Sequence, residues 1–494
     1  MGIVIRQSLL SSAASYLGVI IGFVNAVILM PKFMTPDQIG LFRTLLSAAL
    51  LLSCFGRFGV NSGLVRYKSL LKNPKKELKS LYGMGVIIVF FASLFFLIIL
   101  IIFRNSWADF YAEKSADVNK YFILLIVLTL ELIVFQFLQT LANINKNIFV
   151  ANLLKDLIYK SLNMGGILLF AASIISFHTF INFHIGFYIV MIGILFFESI
   201  YKHKIKISFK LLPPKITREL IYYCGTLFIS GLGLSFLNLA DQQLVSRYLG
   251  LEASGIYMTA IFMVMVIEIP RRFVGEISIP IIAQAFGSNN LDSINEHYKK
   301  ASINLFLMGG LIYLLIITNL DNIYLIMPEG QIYAAGRNVV ILTGLAKLIN
   351  LLFSLNDGII SMSKYYHFNM VLTLFLGLIM IGSDTILIPR YGLIGAATAL
   401  LVVFTFHGLF KLILLKITYN FFPFTGKTLL GALTILGVFL INYFIPILVN
   451  PFIDLLLRSG FIIIIFLISI YKMKLSLEIN QIINDLANRL NINI

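Results

Sequence analysis

Charged residues are scarce in this chain. Only 12% of its 494 residues are charged, whereas 59% are hydrophobic. A soluble globular protein averages roughly a quarter charged residues, and the mean hydropathy of this chain is high at +0.94. This composition excludes a water-soluble fold and indicates that most of the chain lies in a lipid bilayer.

The sequence also lacks the usual signs of catalysis. It has two cysteines, Cys54 and Cys224, and both lie inside apolar segments, so neither a disulfide framework nor a zinc site is indicated. There is no Gly-rich nucleotide-binding loop and no nucleophile elbow. We therefore predict a protein that is not an enzyme, with no catalytic residues, no cofactor and no metal site.

Long apolar runs are present along the whole length. A transmembrane helix needs about 20 predominantly apolar residues, and runs of this kind recur often enough to predict an all-α integral membrane protein with about 14 transmembrane helices. The predicted spans are 8–30, 39–66, 81–103, 120–143, 151–176, 183–201, 220–245, 255–285, 301–320, 335–355, 365–388, 391–415, 427–449 and 455–472. The connections between them are too short for a folded extramembrane domain.

The net charge is +16, and the basic residues are distributed unevenly among the predicted loops. Lysines and arginines crowd the connections between spans 2 and 3 and between spans 6 and 7, whereas the connection 104–119 carries more acids than bases and 319–334 carries only acids. By the positive-inside rule, the basic connections and both termini face the cytoplasm. We attribute the excess charge to membrane topology and predict no nucleic-acid partner.

A self-similar segment divides the chain into two halves. The twelve residues 33–44 resemble residues 248–259 without a gap, and Gly40 aligns with Gly255. Because six spans separate the two copies, we predict a parallel repeat about an axis along the membrane normal. The predicted regions are a six-helix lobe at 1–201, a basic cytoplasmic linker at 202–219, a second six-helix lobe at 220–415, a helix pair at 416–472 and a cytoplasmic amphipathic tail at 473–494.

Several arginines lie inside predicted spans. Arg43, Arg57 and Asn61 fall within one stripe of the predicted span 2. An arginine in mid-membrane costs at least about 2.5 kcal/mol, so it is expected to face a cavity or a partner. Alternatives are snorkelling of Arg43 to the interface and a structural ion pair for Arg57.

Span 8 combines charges of both signs. Glu268, Arg272 and Glu276 are spaced at i, i+4 and are able to pair along one helix, which leaves Arg271 outside this local scheme. Pro270 and Pro280 predict a kink, either static or in a moving element.

Carboxylates inside the predicted spans are candidates for coupling to H⁺ or Na⁺. The candidates are Glu131, Glu268, Glu276 and Asp384. Asp384 and Asp241 lie near predicted external ends of their spans, where simple solvent exposure is the alternative.

The segment from Pro31 to Arg43, with its proline and glycine turn followed by Phe42, resembles the polysaccharide flippases. That family belongs to the superfamily shared with multidrug and toxin extrusion exporters and lipid II flippases. The resemblance implies a bacterial inner-membrane flippase that moves undecaprenyl-diphosphate-linked oligosaccharide to the outer leaflet for O-antigen, capsule or exopolysaccharide assembly. It also implies that spans 13 and 14 accommodate the lipid tail.

We therefore expect alternating access, with the substrate headgroup bound by four arginines and one asparagine. The arginines are chosen because guanidinium groups bind phosphate bidentately. The predicted headgroup-binding residues are Arg43, Arg57, Arg271, Arg272 and Asn61. A polysaccharide polymerase or glycosyltransferases of the same pathway are expected partners. A cation-coupled multidrug exporter is the alternative, in which the carboxylates matter more than the arginines. A membrane glycosyltransferase is disfavoured, because no sizeable external loop is available.

Overall fold

A computed structural model describes residues 14–71, 74–145, 148–202, 205–210, 212–446 and 448–489. The described residues are almost entirely helical and contain no β-strand, which confirms the all-α prediction. The chain divides into two compact units, one formed by residues 1–258 and 373–392 and the other by residues 259–372 and 393–494. The start of the predicted span 8–30 and the end of the predicted tail 473–494 lie outside the described residues.

The helices of the first unit are α1 (Ala14–Phe33), α2 (Pro36–Arg57), α3 (Val60–Leu70), α4 (Pro74–Ile102), α5 (Arg104–Tyr111), α6 (Asp117–Lys120), α7 (Phe122–Ile144), α8 (148–171), α9 (Phe177–Phe197), α10 (Pro214–Leu249) and the first part of α11 (Leu251–Val264). Helix α2 packs against α4, α7 and α10, and α7 also packs against α9. These helices form the apolar core of the unit.

The helices of the second unit are α12 (Ile269–Gly287), α13 (Leu291–Thr318), α14 (Leu320–Ile326), α15 (Gly330–Tyr333), α16 (Arg337–Leu352), α17 (Asn356–Met362), most of α18 (Tyr366–Tyr419), α19 (Gly426–Tyr443), α20 (Pro451–Lys472) and α21 (Leu477–Arg489). Helix α13 is central in this unit, because α12, α16 and α19 all pack against it.

Among the described residues, twelve helices are long and apolar enough to cross a membrane. One of them is α18, which has 54 residues and covers the predicted spans 365–388 and 391–415, with a non-helical Gly392 at the start of the second. Helix α8 overlaps the predicted span 151–176, but it contains a π-helical turn at Leu153–Ile158 and is not among the twelve. The chain is a multi-pass membrane protein, and the count of fourteen stays a prediction.

The predicted span 39–66 is wrong as a single helix. A capping box, in which the Thr35 side chain and the Gln38 side chain bond each other's backbone N–H groups, begins α2 just before Pro36. The helix ends at Arg57, because Phe58 and Gly59 both adopt left-handed backbone angles, with φ of 43° and 68°. Asn61 therefore lies on α3 and does not share a continuous helix face with Arg43 and Arg57.

The two similar segments found in the sequence touch each other. A Cβ atom placed on Gly40 lies 1.9 Å from the Leu251 carbonyl oxygen, and one placed on Gly255 lies 2.1 Å from the Pro36 carbonyl oxygen. Pro36 and Leu251 are themselves equivalent at the 215-residue offset, so the contact is reciprocal. The backbones approach closely because neither position has a side chain. The layout of six, six and two helices stays a prediction.

We predict that Gly40→Ala and Gly255→Ala each lower the free energy of unfolding by about 1–3 kcal/mol, because the added methyl group forces the two backbones apart. Gly193→Ala is the matched control, since a Cβ there has nothing within 4 Å. Thermal unfolding of the detergent-solubilised protein measures the difference. Equal melting temperatures for Gly40→Ala and Gly193→Ala would contradict the close backbone contact.

Candidate substrate-binding sites and ion-coupling carboxylates

The first unit contains a cavity of about 300 Å³ between α2, α7, α8, α9 and α10. Its wall combines apolar side chains with groups that carry hydrogen-bonding or charged atoms. The longer polar side chains in the wall are those of Arg57, Gln136, Gln139, Lys155, Tyr159 and Tyr188. We call this space the unit 1 cavity.

Arg57 lines the unit 1 cavity from the last turn of α2. Its Nε donates a hydrogen bond to the Ser53 carbonyl oxygen at 3.2 Å. No carboxylate forms an ion pair with Arg57 in the part of the chain that the structure describes. The alternative of a structural ion pair therefore finds no support, and the guanidinium is available to an anion in the cavity.

Arg43 and Asn61 lie elsewhere in the first unit. The Arg43 guanidinium contacts the Met30 sulfur at 3.6 Å and lies within electrostatic range of Tyr159, a residue of the cavity wall. Asn61 is half-buried on α3. Neither side chain lines the unit 1 cavity, so of the three polar residues predicted on span 2 only Arg57 does.

The second unit contains a cluster of charges contributed by several helices. Lys347 on α16 lies 2.7 Å from Glu268, and Arg271 on α12 lies 3.4 Å from Asp357. Lys411 on α18 pairs with the same Asp357 and is itself 1% exposed. We call these five residues the unit 2 charge cluster. Three cations face two carboxylates in it, an excess of one positive charge.

The sequence predicted part of the unit 2 charge cluster. The sequence left Arg271 outside the pairing along span 8, and this is wrong, because Arg271 pairs with Asp357 and, at 3.9 Å, with Glu268. Glu268 also pairs with Lys347 on another helix. Arg272 is exposed, and the side chain of Glu276 lies outside those described. Asp357 and Lys411 were missed because they lie 54 residues apart, and no local pattern links them.

Two neighbours complete the polar surroundings of this cluster. The Asn350 amide donates to Glu268 at 3.2 Å. His407, one helical turn before Lys411, lies within electrostatic range of Asp357. Neither Asn350 nor His407 was predicted from the sequence to be part of a site, because a single polar residue in an apolar helix gives no periodic signal.

The other carboxylates predicted for ion coupling are buried in the first unit. Glu131 lies on α7 and interacts electrostatically with Tyr188. Asp384 is 0% exposed, and neither of its carboxylate oxygens has a hydrogen-bond partner among the described residues. Asp241, 2% exposed, lies within electrostatic range of Asp384 and accepts a hydrogen bond from the Tyr257 hydroxyl at 2.6 Å. Solvent exposure, the alternative for both aspartates, is wrong.

Metal ligation is not indicated by side-chain geometry. Within the described ranges, no three His, Cys, Asp or Glu side chains come together as a metal site. Asp241 and Asp384, which have no third carboxylate beside them among the residues that the structure describes, suit a proton or a monovalent cation better than a divalent metal ion.

The fold is similar to that of several membrane transporters of known structure. The chain is similar to the lipid II flippase MurJ in an inward closed conformation, with a TM-score of 0.74, 17% identity and coverage of 94% of this chain and 98% of that one. It is also similar to an inward-facing multidrug resistance MATE family transporter of the MOP superfamily, with a TM-score of 0.58, 13% identity and coverage of 84% and 94%.

A third structure is a MOP superfamily transporter from Pyrococcus furiosus, described as having a binding pocket of reverse polarity. Its TM-score is 0.56 at 13% identity, with coverage of 85% of this chain and 93% of that one. At these identities the matches show a shared fold. No curated protein matches the chain by sequence.

The family follows from the sequence itself. Residues 4–286, more than half of the chain, match the model of the polysaccharide biosynthesis protein family. The chain belongs to this family, which confirms the resemblance found at Pro31 to Arg43. Its structural neighbours are flippases and transporters, not enzymes.

We predict that Asp357→Asn destabilises the second unit more than Lys411→Met does. Losing Asp357 removes the carboxylate that Lys411 and Arg271 share, whereas losing Lys411 leaves Asp357 paired with Arg271. Breaking a buried pair costs about 3–5 kcal/mol, and the lower end applies because Asp357 is partly exposed. Melting temperatures in detergent measure the effect, and the double variant should melt above Asp357→Asn. A double variant no more stable than Asp357→Asn would contradict this pairing.

Proposed function

We propose that this protein is a flippase for undecaprenyl-diphosphate-linked oligosaccharide units in the bacterial inner membrane, serving O-antigen, capsule or exopolysaccharide assembly. The main support for this proposal is the environment of Arg57. Its guanidinium lies on a membrane helix, lines the unit 1 cavity and has no carboxylate partner among the described residues. Such a group is costly in the membrane unless an anion or water meets it. A lipid-linked diphosphate is an anion that a guanidinium binds bidentately.

The unit 2 charge cluster supports the same substrate. Its excess positive charge favours an anion, and Arg271 is 31% exposed, so its guanidinium is accessible. When a diphosphate is absent, Glu268 and Asp357 neutralise most of the cationic charge. We assign Arg271 and Arg272 to headgroup binding in this unit and Arg57 to headgroup binding in the first. For Arg43 and Asn61, which lie outside the unit 1 cavity, headgroup binding stays a prediction from the sequence.

A second cavity in the second unit fits the lipid part of the substrate. It has a volume of about 870 Å³ and lies between α13, α16, α19 and α20. Most of its lining is apolar, including Phe306, Leu348 and Phe439, and the buried Asp454–Arg458 pair, 2.9 Å apart, borders it. Helices α19 and α20 correspond to the predicted spans 13 and 14, so this cavity supports their role in accommodating an isoprenyl tail.

The concentration of basic residues in alternate loops supports an orientation with both termini in the cytoplasm. With that orientation, the substrate is loaded from the cytoplasmic leaflet by alternating access between the two lobes predicted from the sequence. The glycosyltransferases that build the oligosaccharide and a polymerase that uses it are the expected partners.

The arginines provide the first test. We predict that Arg57→Ala and Arg272→Ala each reduce surface polysaccharide at least tenfold in a host deleted for the native gene, because each removes a phosphate ligand. Arg57→Lys should retain partial export, since it keeps the charge but not the bidentate geometry. Arg104→Gln, on the short helix α5, is the matched control. Polysaccharide is measured by immunoblot, normalised to the protein present in membranes. Wild-type export by both alanine variants would rule out this assignment.

A cation-coupled multidrug exporter is the second candidate. The buried carboxylates Glu131 and Asp384 and the similarity to multidrug transporters of known structure favour it. Expression of the chain in a drug-sensitive host distinguishes the two. Drug resistance together with unchanged surface polysaccharide on deletion would favour the exporter.

We further propose that Asp384, with Asp241, couples transport to H⁺ or Na⁺, and that Glu131, Glu268 and Glu276 are secondary candidates. Asp384→Asn should abolish the dependence of substrate transport on an imposed H⁺ or Na⁺ gradient in proteoliposomes, because the amide does not bind and release the cation. Asp109→Asn, on an exposed residue of α5, is the control. Gradient-dependent transport that survives in Asp384→Asn would exclude this residue as the coupling site.

A further inference from the structure

Two glutamine side chains in the unit 1 cavity have no assigned role. Gln136 and Gln139 lie three residues apart on α7, so both side chains reach the same face of the helix. Neither side-chain amide makes a hydrogen bond to another described residue. An amide that lines a cavity inside a membrane protein is stabilised only when water or a ligand meets its donor and acceptor atoms.

An aromatic surface lies in the same cavity. The rings of Tyr159 on α8 and Tyr188 on α9 are 5.3 Å apart, and Phe135 on α7 makes an edge contact with Tyr188 at 6.0 Å. Tyrosine offers an apolar ring face and a polar hydroxyl to the same ligand. Amides and tyrosines together suit a molecule that has several hydroxyl groups and an apolar face, as a sugar ring has.

The charge and size of the cavity narrow the class of ligand. Lys155 joins Arg57 in the wall, and no ion pair neutralises either of them within the described residues. Two cations disfavour a cationic drug and favour a ligand that carries an anion beside its neutral part. At about 300 Å³ the cavity is at the small end of ligand pockets, which suits one sugar ring rather than an oligosaccharide.

We propose that the unit 1 cavity is a sugar-recognition subsite that holds the sugar attached directly to the lipid diphosphate. Gln136 and Gln139 bind the ring hydroxyls, Tyr159 and Tyr188 contact the ring, and Arg57 lies on the phosphate side. This inference rests on the proposed flippase function and adds to it a determinant of which sugars are transported. Arg57 then contributes affinity for any polyprenyl diphosphate, whereas the glutamines contribute selectivity.

The test measures binding of three defined probes to the full-length protein in lipid nanodiscs. The probes are undecaprenyl diphosphate and its conjugates with a single N-acetylglucosamine or a single galactose. Wild-type protein should bind at least one conjugate about tenfold more tightly than the bare diphosphate. Gln136→Ala and Gln139→Ala should each reduce that preference about 2- to 10-fold, the effect of one lost hydrogen bond, and leave affinity for the bare diphosphate unchanged.

Arg57→Ala and Gln331→Ala are the comparison variants. Arg57→Ala should weaken all three probes alike, and Gln331→Ala, an exposed amide outside the cavity, should change none of them. Melting temperatures verify that each variant is folded, and Gln136→Asn or Gln139→Asn replaces the alanine variant of the same glutamine if that variant is not.

The outcomes separate this inference from the proposed function. Equal wild-type affinity for the bare diphosphate and both conjugates would overturn the sugar subsite and leave the flippase proposal standing. The subsite would also be wrong if the glutamine variants weakened all probes equally. Failure of the wild-type protein to bind any of the three probes would overturn both.

Discussion

A charged side chain inside a membrane span needs a partner of opposite charge or a water-filled cavity, and this requirement organises the polar interior of the protein. In the second unit, carboxylates of the same unit provide the opposite charge. Glu268 and Asp357 form ion pairs with Lys347, Arg271 and Lys411. In the first unit, Arg57 and Lys155 line a cavity and have no such carboxylate among the described residues. The two units therefore stabilise their buried cations in different ways.

This difference has a consequence for transport. Cations that are already paired would exchange a carboxylate for the phosphate of the proposed substrate, so binding in the second unit would free an acidic group. Cations that face a cavity bind a phosphate without breaking an ion pair. A carrier needs sites from which the substrate leaves as readily as it enters, and paired cations provide a weaker site than free ones. Under the proposed function, the unit 1 cavity would provide affinity and the unit 2 charge cluster would provide release.

The sequence predicted features that depend on local spacing or on composition. Apolar runs predicted a multi-pass helical membrane protein, and the turn from Pro31 to Arg43 indicated the family. The match between residues 33–44 and 248–259 led to Gly40 and Gly255, which the structure brings into contact. Each of these signals lies within a short stretch of chain, where side-chain pattern and backbone preference act together.

Features that depend on contacts between distant helices were not predicted. The i, i+4 spacing at Glu268 suggested pairing within span 8, yet Lys347 lies 79 residues away. The break at Phe58 was missed because a left-handed phenylalanine is rare and leaves no mark in the hydropathy pattern. Gln136 and Gln139 gained significance only from Tyr159 and Tyr188, which other helices place in the same cavity.

The most direct measurement is movement of the lipid-linked sugar itself. Purified wild-type protein is reconstituted into vesicles that contain a fluorescent undecaprenyl-diphospho-sugar, and an impermeant quencher reports how fast inner-leaflet headgroups reach the outer leaflet. We expect transfer well above that of protein-free vesicles, with no transfer of a cationic dye. Transfer no faster than in protein-free vesicles, together with dye transport, would contradict it.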